Sequence, residues 1–238
     1  MSSIKFENYN TAEFKVVKEV FAEYADIDPY LAHIVEEYLY TTVREYWPNE
    51  KLKIEYREKE DKKDGEYTEW YSNGKLWVQC YYKEGKLEGE YKQWNEHRKL
   101  EYQFYYKEDK KDGEYKDWHD NGQLHKKCYY KEGILDGEYK IWYSTGELWC
   151  EKYYKEGKEE GEYKWWNSDG QLERQCYYKE GKKDGEYKQW WENGQLRRQM
   201  YYKDGKREGE NKSLDKEGNL TEHKIYTGDE VIKDFLKI

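Results

Sequence analysis

Residues Tyr177–Leu196 read YYKEGKKDGEYKQWWENGQL, and residues Tyr129–Leu148 read YYKEGILDGEYKIWYSTGEL. The two stretches are versions of one unit, set two periods of 24 residues apart. Internal periodicity of this kind outranks local propensity, because it defines the architecture. Gly65, Gly89, Gly113, Gly137, Gly161, Gly185 and Gly209 keep the 24-residue interval without a slip. Two residues beyond them stand Tyr67, Tyr91, Tyr115, Tyr139, Tyr163 and Tyr187, until Asn211 breaks the series. Five residues beyond them stand Trp70, Trp94, Trp118, Trp142, Trp166 and Trp190, ending with Leu214. These glycines, tyrosines and tryptophans are read as the repeat framework. A Leu column follows from Leu76 to Leu220, and paired tyrosines recur from Tyr81-Tyr82 to Tyr201-Tyr202. Upstream, Tyr46, Asn49 and Leu52 hold the same phase, so a partial repeat begins there.

Glycine placement says what each unit is. Eighteen of the 19 glycines occupy three columns of the repeat. One column lies in Asn73-Gly74, Asn121-Gly122, Asp169-Gly170 and Asn193-Gly194, pairs favoured in two-residue type I′ hairpin turns. A second lies in Glu84-Gly85, Glu132-Gly133, Glu156-Gly157 and Asp204-Gly205. Turn signals thus alternate along the chain, which predicts an antiparallel meander. The third column, Gly89 and its equivalents, is placed at a strand start, where a bare backbone lets a neighbouring ring cross. Arg98 and Asp109 replace turn glycines, and Arg98 is the expected irregular spot because Asp tolerates positive φ better.

Between turns the period is two. Leu76, Val78, Cys80 and Tyr82 are expected on one face, with Trp77, Gln79 and Tyr81 on the other. Trp70 and Tyr67 are an odd number of positions apart and fall on opposite faces, so both faces carry aromatic columns. Each hairpin adds about 10 Å, giving an open array on the order of 70 Å long. A parallel β-helix is the competing architecture, but its coils do not require alternating hairpin turns. Registered Glu and Lys columns, such as Glu90/Lys92 and Glu114/Lys116, are expected to pair across strands.

Composition fits a fold without an oily interior. Charged residues make up 40% of the chain, a level that usually means disorder, yet 19% of residues are aromatic, with 29 Tyr and 11 Trp. Such rings bury about 150–250 Å² each while tolerating a wet edge. The net charge of −9 argues against general affinity for phosphate backbones or anionic lipid. No apolar run approaches the roughly 20 residues of a membrane helix, and no signal-peptide core is visible at the N-terminus. Cys80, Cys128 and Cys176 lie too far apart along the array for mutual disulfides, and Cys150 has no evident partner. The expected setting is reducing, intracellular and cytoplasmic.

Three segments follow. Residues 1–45 carry helical signals: Asn10 with Glu13 as a capping box before Phe14, Val17, Phe21 and Tyr24, then Asp28-Pro29 before Leu31, Ile34, Val35, Tyr38 and Leu39. Residues 46–226 are the repeat array. In residues 227–238, Thr227 to Glu230 reads as another capping box, with Val231, Ile232, Phe235 and Leu236 behind it as a capping helix. The two ends are expected to cover open sheet edges. The fold class is therefore mainly β, an elongated, twisted antiparallel meander of hairpin repeats with short helices at both ends.

The unit, best seen in Tyr177–Leu196 and Tyr129–Leu148, resembles the MORN-repeat variant of bacterial antitoxin-like proteins and the large MORN arrays of giant DNA viruses. The resemblance spans about residues 46–226 and rests on the joint spacing of Gly, Tyr, Trp and Asn-Gly. It implies consecutive hairpins in a curved or twisted rod, protein interaction or scaffolding, and membrane association in some members. A viral origin implies the host cytoplasm. The family supplies no catalytic residues. Giant-virus members often begin with an F-box-like segment, and Ile27-Asp28-Pro29-Tyr30-Leu31 through Leu39 is similar to it without its Leu-Pro opening. A ubiquitin-ligase substrate adaptor, a membrane tether and an antitoxin-like neutraliser of a protein partner are the alternatives this implies.

No catalytic constellation accompanies the repeat. His33, His97, His119, His125 and His223 show no ligand spacing, and no CxxC pair occurs, so neither metal nor cofactor is expected. The recurring carboxylates read as a solvated face, and no nucleotide loop or nucleophile elbow is present. Rings interleaved with Lys could serve single-stranded nucleic acid, but packing explains them and acids accompany nearly every Lys. The informative positions are those where repeats differ: Glu69/Tyr71, Gln93/Asn95, Asp117/His119, Ile141/Tyr143, Trp165/Asn167 and Gln189/Trp191. Apolar residues gather at Ile141, Tyr143, Trp165 and Trp191, with Trp149 nearby in sequence. These five are the candidate partner-binding or self-association patch, since Trp and Tyr dominate interface hot spots. Ordinary groove filling is the competing explanation. The expected role is a non-enzymatic scaffold for a protein partner.

Overall fold

Two kinds of turn build the sheet, and both are set by single residues. The computed structural model describes residues 39–236, in which strands pair antiparallel in chain order to give one 19-stranded sheet. A repeat is a hairpin such as Lys62–Trp70 with Leu76–Lys83, or Lys110–Trp118 with Leu124–Lys131. The meander is as expected, but the two-residue turn does not fall at the Asn-Gly pairs. Gly74 N–H donates to Tyr71 O at 2.8 Å, and Tyr71 N–H donates to Lys75 O at 2.9 Å. Only Gly74 of the Asn73-Gly74 pair has positive φ, at 86°. This is a three-residue loop, a tight turn closed by a left-handed glycine. Asn73 is chosen because its Oδ1 accepts the Lys75 N–H at 2.9 Å. The two-residue turn with both φ positive falls instead at Glu84-Gly85, with φ of 51° and 85°.

A glutamate in left-handed conformation needs compensation, and the preceding repeat supplies it. Glu84 N–H donates to the Asp64 carboxylate at 2.9 Å, while Gly85 N–H donates to Lys63 O at 2.7 Å. The same bond joins Glu108 to Glu88, Glu132 to Asp112, Glu156 to Asp136, Glu180 to Glu160 and Asp204 to Asp184. The turn at His97-Arg98 is not irregular: Arg98 adopts φ of 63° and keeps the bond from its N–H to Asn95 O at 2.9 Å. Asp109 is the substitution with a structural echo. Its carboxylate accepts Leu87 N–H at 2.7 Å, beside the strand split into Lys86–Leu87 and Gly89–Trp94.

The ends differ from expectation where they are described. Glu230–Asp234 is a strand paired with Leu220–Thr227, not a helix. The cause is Gly228-Asp229, with φ of 59° and 76°, which forms one more two-residue turn in phase with the array. Gly228 N–H donates to the Glu208 carboxylate at 3.0 Å and Asp229 N–H to Arg207 O at 3.1 Å, so register outweighs the local helical pattern. At the other end Thr41–Tyr46 is a strand paired with Leu52–Lys59. The helical and F-box-like readings within residues 1–38 lie outside the described residues.

Each repeat carries two bulges, which bend and twist its strands. One surrounds the framework glycine: Tyr56 pairs with Tyr67 and Glu58 with Lys63, leaving Gly65 within an oversized bulge at φ of 115°. Most of these glycines therefore lie inside a strand, while Gly89 and Gly209 begin one. A side chain at Gly113, Gly137 or Gly185 would meet Cβ of Tyr105, Tyr129 or Tyr177 at 3.2–3.3 Å. The ring-over-backbone expectation holds at these three. The second bulge precedes the Trp column, as between Glu69 and Trp70. It overturns strict alternation there, because the Trp77 column swings to the side of the Glu69 column. His125 reaches Asp117 and Glu101 reaches Gln93 for this reason.

The core is a ladder of rings. Tyr67, Val78 and Cys80 are buried together with Tyr56, Tyr82 and Tyr91 packed on them, and Phe104, Tyr115 and Cys128 repeat the pattern. Phe104 stacks between Tyr91 at 4.6 Å and Tyr115 at 5.6 Å. Ring pairs of this kind contribute about 0.5–1.5 kcal/mol beyond area burial. Lysine fills the gaps: Lys63 Nζ lies 4.2–5.0 Å from the centres of Tyr56, Tyr67 and Tyr82. One repeat exchanges the roles. Lys152 stands in the Cys128/Cys176 column and Glu159 in the lysine column, bonded at 2.9 Å, with Lys152 Nζ about equally close to Tyr139, Tyr154 and Tyr163. Burial pushes the Lys152 ammonium down, but Tyr154 and Glu159 outweigh it and hold the group above its ordinary value. The four thiols are free, and burial pushes Cys80 up to about 12 and Cys128 and Cys176 up to about 11.

The opposite face repeats a polar quartet. Glu114 accepts from Lys116, from Lys127 at 2.7 Å and from Tyr129 at 2.9 Å. Burial pushes its carboxyl up, and those donors outweigh it and carry it down to about 2. The Glu90–Lys92 pair, at 2.6 Å, runs along one strand and not across two as expected; the cross-strand donors are Gln103 and Tyr105. Residues two apart share a face, so the spacing permits this.

Candidate functional site

Framework columns recur along most of each hairpin, whereas the edge around the second bulge changes from repeat to repeat. Its side chains are the residue before each framework Trp, the residue after it, and the two residues after each framework Leu. The bulge brings them together. Tyr71 lies 5.6 Å from Trp77, His119 lies 4.5 Å from His125, and Tyr143 lies 6.0 Å from Trp149 between ring centres. At the equivalent place Arg197 covers Trp191 at 4.3 Å and Lys53 covers Trp47 at 5.4 Å.

A cleft of about 350 Å³ opens on this edge between neighbouring hairpins, lined among others by Asn95, Glu101, Tyr102, Asp117, His119 and His125. Asp117 is its buried anchor. It accepts from Tyr115 Oη at 2.9 Å and from His125 Nδ1 at 2.8 Å, with Lys126 Nζ at 3.3 Å. Burial, then the Asp117 charge, pushes the Tyr115 hydroxyl far up, so it remains a donor. Burial and the nearby Lys126 push Lys111 down. Among the described residues no group of three or more His, Cys, Asp or Glu is arranged to hold a metal.

Of the five predicted patch residues, four come together. Ile141 pairs with Cys150, which pairs in turn with Trp165, and Tyr143 and Trp149 flank them. Trp165 stacks on Tyr163 and has the Arg174 guanidinium 5.1 Å above it. Trp149 is the exposed member, at 41%. Trp191 lies two hairpins away. Tyr143 and Trp191 are also not free of framework duty. Tyr143 Oη donates to Trp166 O at 2.9 Å and Trp191 Nε1 to Leu214 O at 3.1 Å, as Tyr71 does to Trp94 O.

Sequence reasoning missed two features. The acidic column Asp64, Glu88, Asp112, Asp136, Glu160, Asp184 and Glu208 caps the next turn, and its signal was an acid directly before every framework glycine. The His119–His125 pair spans six residues across a loop, a spacing that no ligand motif contains.

Five segments, residues 63–84, 111–132, 135–156, 159–180 and 183–204, match the family model described as MORN repeat variant. Those segments are similar to repeats of this type, which in general serve as protein- or membrane-interaction modules. No curated protein matches the chain. A solved structure titled "Crystal Structure of TcdB2-TccC3" is similar at 9% identity and a TM-score of 0.23, over 82% of this chain and 14% of that one. That likeness carries no argument.

Proposed function

We propose that this chain is a non-enzymatic interaction scaffold that holds a protein partner along its variable, bulged edge, centred on Trp149. The observation that carries the reading is the confinement of variation. The ring ladder, the turn caps and the polar quartets keep their residue types in most repeats, with Glu151, Lys152 and Glu159 the main exceptions, while the edge offers rings, acids and bases in an irregular order. Trp149 stands exposed among Ile141, Tyr143 and Trp165, an arrangement suited to a hot spot with a polar rim. The acidic net charge favours a protein over an anionic bilayer.

Affinity capture from the native cell with quantitative mass spectrometry tests this. Trp149→Ala with Trp165→Ala should deplete specific partners at least tenfold, while Tyr153→Ala on the opposite face should deplete none. Equal recovery by all three folded proteins rejects the edge as the binding surface. Sedimentation of the same set separates a second copy of the chain from a foreign partner.

A further inference from the structure

The cleft beside Asp117 holds two imidazoles whose neutral tautomers are selected by their hydrogen bonds. His125 Nδ1 lies 2.8 Å from a carboxylate oxygen of Asp117, an acceptor, so Nδ1 carries the hydrogen. His119 Nε2 lies 3.0 Å from Trp142 O, also an acceptor, so Nε2 carries the hydrogen. In neutral rings the remaining nitrogens, His119 Nδ1 and His125 Nε2, each keep a lone pair. A carboxylate or carbonyl anchoring the far N–H is how ligating histidines are commonly oriented and made more basic.

We propose that His119 and His125 bind one divalent transition-metal ion of the tetragonal class, Cu²⁺ or Ni²⁺, through these two nitrogens. The separation suits it. A metal lies about 2.0–2.1 Å from a ligating nitrogen and therefore about 3.2 Å from the ring centre, which at the near-90° angle of a tetragonal site puts two ring centres about 4.5 Å apart. The two ring centres are 4.5 Å apart. Imidazole selects Cu²⁺, Ni²⁺ and Zn²⁺ over the hard alkaline-earth ions. Both histidines open into the cleft, and the His125 side chain is 42% exposed, so an ion has an entry path. With no third ligand preassembled, water completes the shell, and the Glu101 and Asp120 carboxylates on the cleft wall add favourable charge. The equivalent pairs elsewhere on the edge, Tyr71/Trp77, Asn95/Glu101 and Tyr143/Trp149, lack two imidazoles.

The test uses the full chain without a histidine tag. Substoichiometric Cu²⁺ should broaden the NMR signals of His119 and His125 before those of His97 or His223, and its EPR spectrum should show coupling to two nitrogens. Titration calorimetry should give one site per chain. His119→Gln or His125→Gln should each weaken it at least tenfold, and His223→Gln should leave it unchanged. Because protons compete with the metal for these two lone pairs, binding by the unaltered protein should also weaken in acid. Broadening spread evenly over all histidines, or single variants that bind as tightly as the parent, overturns the site. The unaltered-protein arms decide the matter even if a variant misfolds.

Discussion

Cβ of Tyr105 lies 3.3 Å from the point where a side chain on Gly113 would begin. The ring of one repeat is thus laid across the bare backbone of the next, at a residue with φ of 117°. Gly89 is the natural control, since nothing lies within 4 Å of its missing side chain and its φ is 76°. Gly113→Ala should cost about 3 kcal/mol, from backbone strain plus overlap, and Gly89→Ala about 1 kcal/mol, from strain alone. Urea unfolding of the two variants checks the order; equal losses would mean that the tyrosine yields freely.

The turn caps should register individually. Asp112→Ala removes the acceptor of Glu132 N–H, 3.0 Å away, and leaves a left-handed glutamate without its compensation. About 1 kcal/mol should be lost, a modest figure because the turn is exposed to water. Amide exchange at Glu132 should accelerate more than at Glu156, whose cap is Asp136. Uniform acceleration across both turns would assign the effect to global destabilisation instead.

Acid should loosen the sheet in a defined window. Glu114 sits near 2 in the folded chain against an ordinary 4.5, and Glu90, Glu162 and Glu186 are lowered as well. A depressed carboxyl stabilises the fold above its unfolded value and ceases to do so as pH falls through its folded value. Stability should therefore be steady above about pH 5 and decline toward pH 2. Glu114→Gln should flatten that decline by on the order of 1 kcal/mol, screening included. A profile that keeps its full slope in the variant would remove Glu114 from the account.

Lys152 and Glu159 offer a charge exchange with a known alternative in the same chain, Cys176 with Lys183. Glu159→Lys alone brings a second cation to the ring cage and should cost about 3 kcal/mol. Adding Lys152→Cys recreates the arrangement of the following repeat and should return stability to within about 1 kcal/mol of the parent. A double variant no better than the single would show that the cage is not interchangeable between repeats.

Much of this was legible in the sequence because the repeat averages out local ambiguity. Six copies of one glycine, tyrosine and tryptophan spacing, with a seventh glycine in phase, specify the hairpin, its length and its ring columns. What they hid was backbone detail. The Asn-Gly pairs favour a two-residue turn in isolation, but Asn73 spends its side chain on Lys75 N–H and the loop gains a residue. Period-two reading failed at Trp77 and His125 because a bulge interrupts the alternation, and this concealed the His119–His125 and Asp117–His125 contacts. Val231 and Ile232 fit a helix by spacing, yet Gly228-Asp229 and the waiting Glu208 carboxylate turn them into a strand. Variability between repeats singled out Ile141, Tyr143 and Trp165, which the fold does bring together with Trp149, whereas Trp191 was joined to them by type and not by place.

Most side chain-to-backbone bonds between repeats have a direction, with Asp109 to Leu87, Asn211 to Tyr201 and Asp229 to Arg207 running the other way. Asp64 reaches Glu84, Asn49 reaches Ser72, Lys51 reaches Asn73 and Tyr71 reaches Trp94, so in each case an earlier side chain serves a later backbone. On a ribosome the acceptor or donor is thus already in place when the segment that needs it emerges. Nascent chains of this design can grow by vectorial addition, each hairpin settling on a finished one, and a product truncated late in synthesis leaves its earlier hairpins with most of these bonds in place.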